Sequence, residues 1–252
     1  MNATPLYNQR ALYLPDADTA VIADLHIGIE YELSLTGAHI PSQTASLASR
    51  CSELCRELDV AKLLIAGDLK HMITATGDSS EHDRALRQER WELRSFVQSL
   101  SAFDMELVKG NHDGGLFSSA QLTVHDSRGV CCGDVGVAHG HAWPSDEVMQ
   151  SDMLVMGHVH PTVRLRDDLG FSISKPCWLR VPLLPEEARE RYPSVNPDLE
   201  VVVMPAFNPL CGGMAVNMEG ILGPLQGIVD VDAGQVYLLD GMHLGSIGSL
   251  RL

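Results

Sequence analysis

Apolar runs of strand length alternate with helical stretches along the first two-thirds of this 252-residue chain. Thr19-Ala20-Val21-Ile22-Ala23 is short and partly β-branched, and it predicts a buried strand ending at Asp24. Over residues 41–58, Ala45, Leu47, Ala48, Leu54, Cys55 and Leu58 recur at helical spacing, with Pro41 near the start. Lys62-Leu63-Leu64-Ile65-Ala66 is the next predicted strand and Gly67-Asp68 its exit. A second helix is predicted over residues 82–99, with Leu86, Leu93, Phe96, Val97 and Leu100 along one stripe. The run 105–108 leads into Gly110-Asn111-His112, and the runs 135–138 and 153–156 each end at a histidine-bearing segment. Strands are also predicted at 200–204 and 235–239, flanking a turn-rich region with Pro205, Pro209, Gly212, Gly213, Gly220, Gly223 and Pro224.

Five apolar strands thus deliver polar residues at their C-terminal ends, where open α/β sheets place their ligands. That pattern predicts an α/β fold. With no internal repeat, low-complexity tract or linker-like stretch, residues 1–252 are expected to form a single domain.

The strand exits hold the candidate chemistry. They read Asp24-Leu25-His26, Gly67-Asp68-Leu69-Lys70-His71, Gly110-Asn111-His112-Asp113, His139-Gly140-His141 and Gly157-His158-Val159-His160, and together they hold seven of the eleven histidines. Neutral imidazole and carboxylate are the usual ligands of Zn, Mn and Fe(II). Asp24 and His26 are two apart, which in an extended segment puts both on one face, and His158 and His160 repeat the spacing. Asp68, fixed by Gly67, is the natural carboxylate to bridge two cations. A lone Gly-Asp pair more often caps a loop, and a lone histidine pair more often hydrogen-bonds in one; the combination shifts the balance to metal. Asn111 offers an oxygen without adding negative charge, and His112 beside it would point differently and serve as an acid.

Charge and composition narrow the classes. A formal net charge of −15 argues against a broadly cationic nucleic-acid surface, though not against local contacts. The start Met1-Asn2-Ala3-Thr4-Pro5 lacks the pattern of a secretory leader, and no apolar stretch approaches the roughly 20 residues of a membrane span. The six cysteines form no C-x-x-C pair and read as buried free thiols, so a reduced, cytoplasmic setting without membrane association is expected.

The ordered set Asp-x-His, Gly-Asp, Gly-Asn-His-Asp, His and Gly-His-x-His over residues 24–160 resembles the calcineurin-like metallophosphoesterase superfamily. The run 24–30 with Gly37 and Pro41, His71 three residues after Asp68, the Ala206-Phe207-Asn208-Pro209 segment and Gly212-Gly213 resemble the archaeal SbcD-related and ligase-associated phosphoesterases. The resemblance implies a four-layer sandwich of two mixed β-sheets flanked by helices, with a dinuclear centre at the strand ends. By position it implies Asp24, His26, Asp68 and His160 around one metal and Asp68, Asn111, His139 and His158 around the other, with His112 as proton donor. Full repair nucleases carry a capping region and a partner-binding extension that this chain lacks, which argues against processive work on duplex DNA.

The expected activity is therefore hydrolysis of phosphodiester bonds, in small diesters or single-stranded nucleic acid. Two divalent cations roughly 3.5–4 Å apart would activate a bridging water as hydroxide for in-line attack. His71 or Asp113 would orient His112, and His141 and Lys70 would contact substrate, with the roles of His139 and His141 left interchangeable. Trp143 is expected to pack, with base stacking as the alternative. Manganese is favoured, and iron, zinc or nickel would accept the same ligands. DNA-repair partner proteins are implied by resemblance alone. A phosphomonoesterase is the rival activity, and a non-catalytic metal-containing protein-binding module is a third reading.

Overall fold

The computed structural model describes residues 3–73 and 80–251. Two mixed β-sheets lie face to face and are flanked by helices. The first contains β1 (Thr4–Leu6), β2 (Ala11–Leu14), β3 (Thr19–Ile22), β4 (Lys62–Ile65), β5 (Asp104–Val108) and β6 (Thr123–His125), in that spatial order. The strands β3 to β6 run parallel, and β1 and β2 add an antiparallel edge. The second sheet draws wholly on later residues. Its path runs through β13 (Met214–Ala215), β10 (Pro161–Arg166), β11 (Ser172–Pro182), β12 (Glu200–Val203), β9 (Met153–Met156), β8 (Val135–Ala138) and β7 (Val130–Cys132). Two further strands, β14 (Gln235–Leu238) and β15 (His243–Ser246), extend it from β11.

Period-two alternation builds three cores from these strands. Val21, Ala23, Leu64, Ala66 and Val108 point inward and meet Val135, Val137, Met153, Val155 and Val202 of the facing sheet. Their neighbours Ala20, Ile22, Leu63, Ile65 and Leu107 point outward onto the helix α2 (Thr44–Glu57), through Leu47, Cys51 and Leu54, and α3 (Ser80–Ser99), through Leu93 and Phe96. On the other side Leu154, Met156, Val201 and Val203 pack with Ala188 of α4 (Pro185–Arg191) and Val216 of α5 (Val216–Glu219). Burial on both faces explains why these strands are unbroken apolar runs.

The predicted elements shift in detail. Among the described residues the second helix spans Ser80–Ser99, and the first begins at Thr44, leaving Ala45 exposed, because its apolar face starts at Leu47. The sequence pattern gives no sign of α1 (Ile29–Leu35), whose buried residues are Ile29 and Glu30 alone. The hairpin of β10 and β11 was also not predicted, because its first partner residues on β11 are exposed. All six thiols are free. Among the described residues no helix is long and apolar enough to cross a membrane.

Candidate metal centre

The exits of β3, β4, β5, β8 and β9 converge at one end of the sandwich. Beyond the strands, the first two exits keep running side by side: Asp24 N donates to Gly67 O at 3.1 Å, His26 N to Asp68 O at 2.9 Å and His71 N to Ile27 O at 3.0 Å. To turn so many side chains one way, the backbone takes left-handed values at Asp24 (φ 58°), His26 (43°), Asp68 (53°), His158 (70°) and His160 (46°). Such residues cost about 1–3 kcal/mol each and persist only where the surroundings enforce them. Two glycines are needed for close approach. A Cβ at Gly67 would lie 2.1 Å from His139 Nδ1, and one at Gly110 would lie 2.1 Å from Asp68 Oδ1.

The side chains meet around two carboxylates. Ligand atoms of Asp24, His26 and Asp68 fall within 4.8 Å of one another, as do those of Asp68, His139 and His158, so Asp68 is common to both groups. His160 Nε2 lies 3.2 Å from Asp24 Oδ1, His26 Nε2 3.5 Å from Asp68 Oδ2, and His139 Nε2 3.2 Å from both Asp68 Oδ2 and Asn111 Oδ1. The His158 amide donates to Asp24 at 3.2 Å, holding that carboxylate from the facing sheet.

Tautomers are set from outside the cluster. His139 Nδ1 donates to Ala66 O at 2.9 Å and His160 Nδ1 to Gly212 O at 3.0 Å, which leaves each Nε2 facing the carboxylates. Burial depresses His26 to about 3, and burial with the nearby His139 charge depresses His158 to about 4, so both are neutral. For His139, burial is outweighed by Asp68 and Asp24, which raise it to about 9. Asp68 is held well below the usual carboxylate range, since His139 and His26 outweigh its own burial.

These residues fit divalent cations. The Nε2 atoms of His26 and His160 and the Nδ1 of His141 are buried without a hydrogen-bond partner among the described residues. A buried orphan nitrogen is costly, and a lone pair aimed at carboxylates is relieved by a proton or by a cation between them. Nitrogen and oxygen donors in this mixture suit Mn, Fe, Zn or Ni.

The remaining candidates take definite places. His112 N donates to Asp68 Oδ1 at 2.9 Å, its Nδ1 donates to the His71 carbonyl, and its Nε2 lies 4.0 Å from Asp68 Oδ2. It is the backbone of His71, rather than the ring, that hydrogen-bonds His112. The His71 ring stacks on His112 at 5.5 Å and makes its own contacts with His26 Nδ1, at 3.2 Å, and with Glu32. Asp113 is fully buried and accepts from the backbone amides of Gly110, Asp68, Leu69 and Lys70, so its described bonds hold loops together and do not orient His112. Lys70, expected at substrate, is buried with its ammonium on the Met72 carbonyl. The His141 ring lies 5.2 Å from His139 and 6.0 Å from His158, at the edge of the second group. Trp143 packs edge-on against Tyr192, with Arg191 over its ring at 4.3 Å.

Two supporting residues have roles the sequence does not assign: Glu89 went unnoticed, and Asn208 entered only within the segment 206–209 that carries the resemblance. Glu89 of α3 is buried and accepts from the amides of His71 and Met72. Asn208 is fully buried and donates to Leu25 O at 2.8 Å, bracing the exit of β3. A signal existed for Glu89: with Ala85, Glu92, Leu93 and Phe96 it falls on the inward stripe of its helix, where a carboxylate needs a partner.

No family model matches the chain, and no curated protein does. Among solved structures, the fold is similar to that of the Pseudomonas putida nuclease MPE, with 21% identity, a TM-score of 0.58 and coverage of 96% of this chain and 100% of that one. The phosphoesterase Yfce of E. coli aligns at 15% identity and a TM-score of 0.39, covering 90% of this chain and 96% of that one. A predicted phosphoesterase of Streptococcus pneumoniae TIGR4 aligns at 10% identity and a TM-score of 0.32, covering 89% and 91%.

Proposed function

We propose that this chain is a two-metal phosphodiesterase or nuclease of the calcineurin-like type, in the branch that the SbcD-related and ligase-associated phosphoesterases represent. Asp24, His26, Asp68 and His160 would hold one cation, and Asp68, Asn111, His139 and His158 the other. The observation that carries the reading is the set of buried imidazole nitrogens, unpartnered among the described residues, gathered around Asp24 and Asp68. Bound cations supply charge stabilisation at the phosphoryl oxygens and lower the pKa of water. The name of the Pseudomonas putida protein of the same fold, a nuclease, agrees with this.

The chain's own chemistry centres on His112. With Nδ1 committed to the His71 carbonyl, Nε2 is the atom that holds a proton and releases it to a leaving alkoxide. A diester needs that proton more than a monoester dianion does, whereas a dianion needs extra positive charge. The nearest lysines in sequence are otherwise engaged: Lys70 on the Met72 carbonyl and Lys109 over the Phe117 ring at 4.9 Å.

A hydrolysis panel with added Mn²⁺ tests the proposal, using bis-aryl phosphate, aryl phosphate, cyclic nucleotides and single-stranded DNA. Bis-aryl phosphate is expected to show the higher kcat/KM, with weak activity on long duplex DNA. A clear preference for the monoester would promote the phosphatase reading. Metal binding without any turnover would promote the binding-module reading.

A further inference from the structure

We infer that the outer face of α3 is a docking track for single-stranded nucleic acid, an extension of the diesterase reading on which it rests. Arg84, Arg87, Arg90 and Arg94 are all exposed, and with Trp91 they fall within an arc of roughly 120° on the helix. Trp91 is 63% exposed, whereas Trp178 is buried and Trp143 is packed. The helix sorts its charges: Glu89 and Glu92 turn inward and are buried, and the arginines turn outward. None of the four has an ion-pair partner among the described side chains, and the one exposed acid within the same arc, Asp83, leaves the arginines in excess there. Of the arginines elsewhere, Arg180 pairs with Glu200, Arg189 with Glu186 and Arg251 with Asp232, while the exposed Arg56, Arg164 and Arg166 are likewise without an ion pair among the described side chains. What sets α3 apart is four arginines on one face around an exposed indole.

In a chain with a net charge of −15, four unpaired arginines around one exposed indole mark a local reversal of sign. The chemistry that meets both features is a polyanion whose charges are spaced by planar, stackable groups. A single strand offers a free base face to Trp91, which a duplex does not. A membrane surface fits poorly, because the face holds one large apolar side chain and not an apolar stripe. The location also fits. Glu89, on the opposite side of the same helix, hydrogen-bonds the amides of His71 and Met72 beside His112, so α3 is anchored to the centre. From Arg84 to Arg94 the track is about 15 Å long, at 1.5 Å per residue.

The test measures binding apart from turnover. Protein stripped with EDTA is titrated into a fluorescein-labelled single-stranded oligonucleotide at several salt concentrations. Arg87→Ala/Arg94→Ala is expected to lower the slope of log K against log salt by about 0.7 per arginine removed. Trp91→Ala is expected to weaken binding roughly tenfold or more, and Arg189→Ala to leave it unchanged. Both α3 variants should retain the parent rate on bis-aryl phosphate. Unchanged slope and affinity in the α3 variants overturn the proposal. An equal loss of affinity for poly-glutamate would reassign the face to acidic proteins, and tighter binding of duplex than of single strand would remove the stacking role. Failure of the bis-aryl phosphate assay alone would strike the diesterase reading and leave this surface standing.

Discussion

Replacing Asp113 by Asn separates a scaffold role from a catalytic one. Asp113 Oδ2 accepts from Asp68 N and Gly110 N, both at 2.8 Å, and Oδ1 from Leu69 N at 3.0 Å and Lys70 N at 3.3 Å. In Asp113→Asn one of those oxygens becomes an NH₂ group facing two N–H donors. In the better amide orientation two backbone donors keep an acceptor and two lose theirs in a fully buried position. Each stranded donor costs about 1–3 kcal/mol, so the variant should lose about 2–6 kcal/mol from a total that is typically about 5–15. For a chain of this size about 1 kcal/mol moves Tm by about 2–4 °C, so a fall of at least about 4 °C is expected. The measurement is thermal unfolding by circular dichroism after EDTA treatment, so that bound metal does not mask the change. Calorimetric titration with Mn²⁺ should show weakened binding as well, since the same amides place Asp68 and neighbour Asn111. If Tm and metal affinity are unchanged while kcat alone falls, Asp113 acts on the chemistry and the scaffold argument is wrong.

Three other outcomes are expected. Asp68→Asn should lose metal occupancy and turnover together, and full activity with two metals bound would refute its bridging role. His112→Ala should keep two metals per chain by elemental analysis while kcat falls about 10²–10⁴-fold; loss of one metal would make His112 a ligand instead. Glu106 gives a pH signature remote from the centre. Its burial is outweighed by Lys62 Nζ at 2.8 Å and His125 Nε2 at 2.7 Å, which lower its pKa. A carboxylate with a depressed folded pKa stabilises above its unfolded value and loses that contribution as pH falls through the folded one. The Tm gap between the parent and Glu106→Gln should therefore be present at about pH 7 and close progressively below about pH 4; a constant gap would refute the linkage.

The convergence of the candidate residues was legible in the sequence because they follow strands buried on both faces. An unbroken run such as 62–66 fixes where the chain must turn, and Gly67-Asp68 then stands at that turn. The supporting residues were not legible for the same physical reason in reverse. Asp113 looks like a turn residue by type, and only the folded chain shows backbone amides of two loops converging on it. His160 depends on the Gly212 carbonyl, 52 residues away, which no local pattern encodes. In β11 the first residues are exposed and mostly polar, so neither periodicity nor burial announces a strand of 11 residues. Lys70 misled by its type alone: a lysine beside an aspartate suggests a phosphate contact, yet its stem is buried and its ammonium satisfied locally.

The division of the sheets along the chain bears on biosynthesis. The first sheet is finished at His125 and the second begins at Val130, so the two faces emerge from the ribosome in succession. Until residues beyond 130 follow, Val21, Ala23, Leu64 and Ala66 have no facing layer, and a nascent chain at that length is a natural client for chaperones. Asp24, His26, Asp68 and Asn111 are translated long before His139, His158 and His160. A chain arrested at midpoint therefore carries the oxygen-rich half of the candidate centre without three of the four imidazoles proposed as ligands, and the cluster is complete only when synthesis has passed His160.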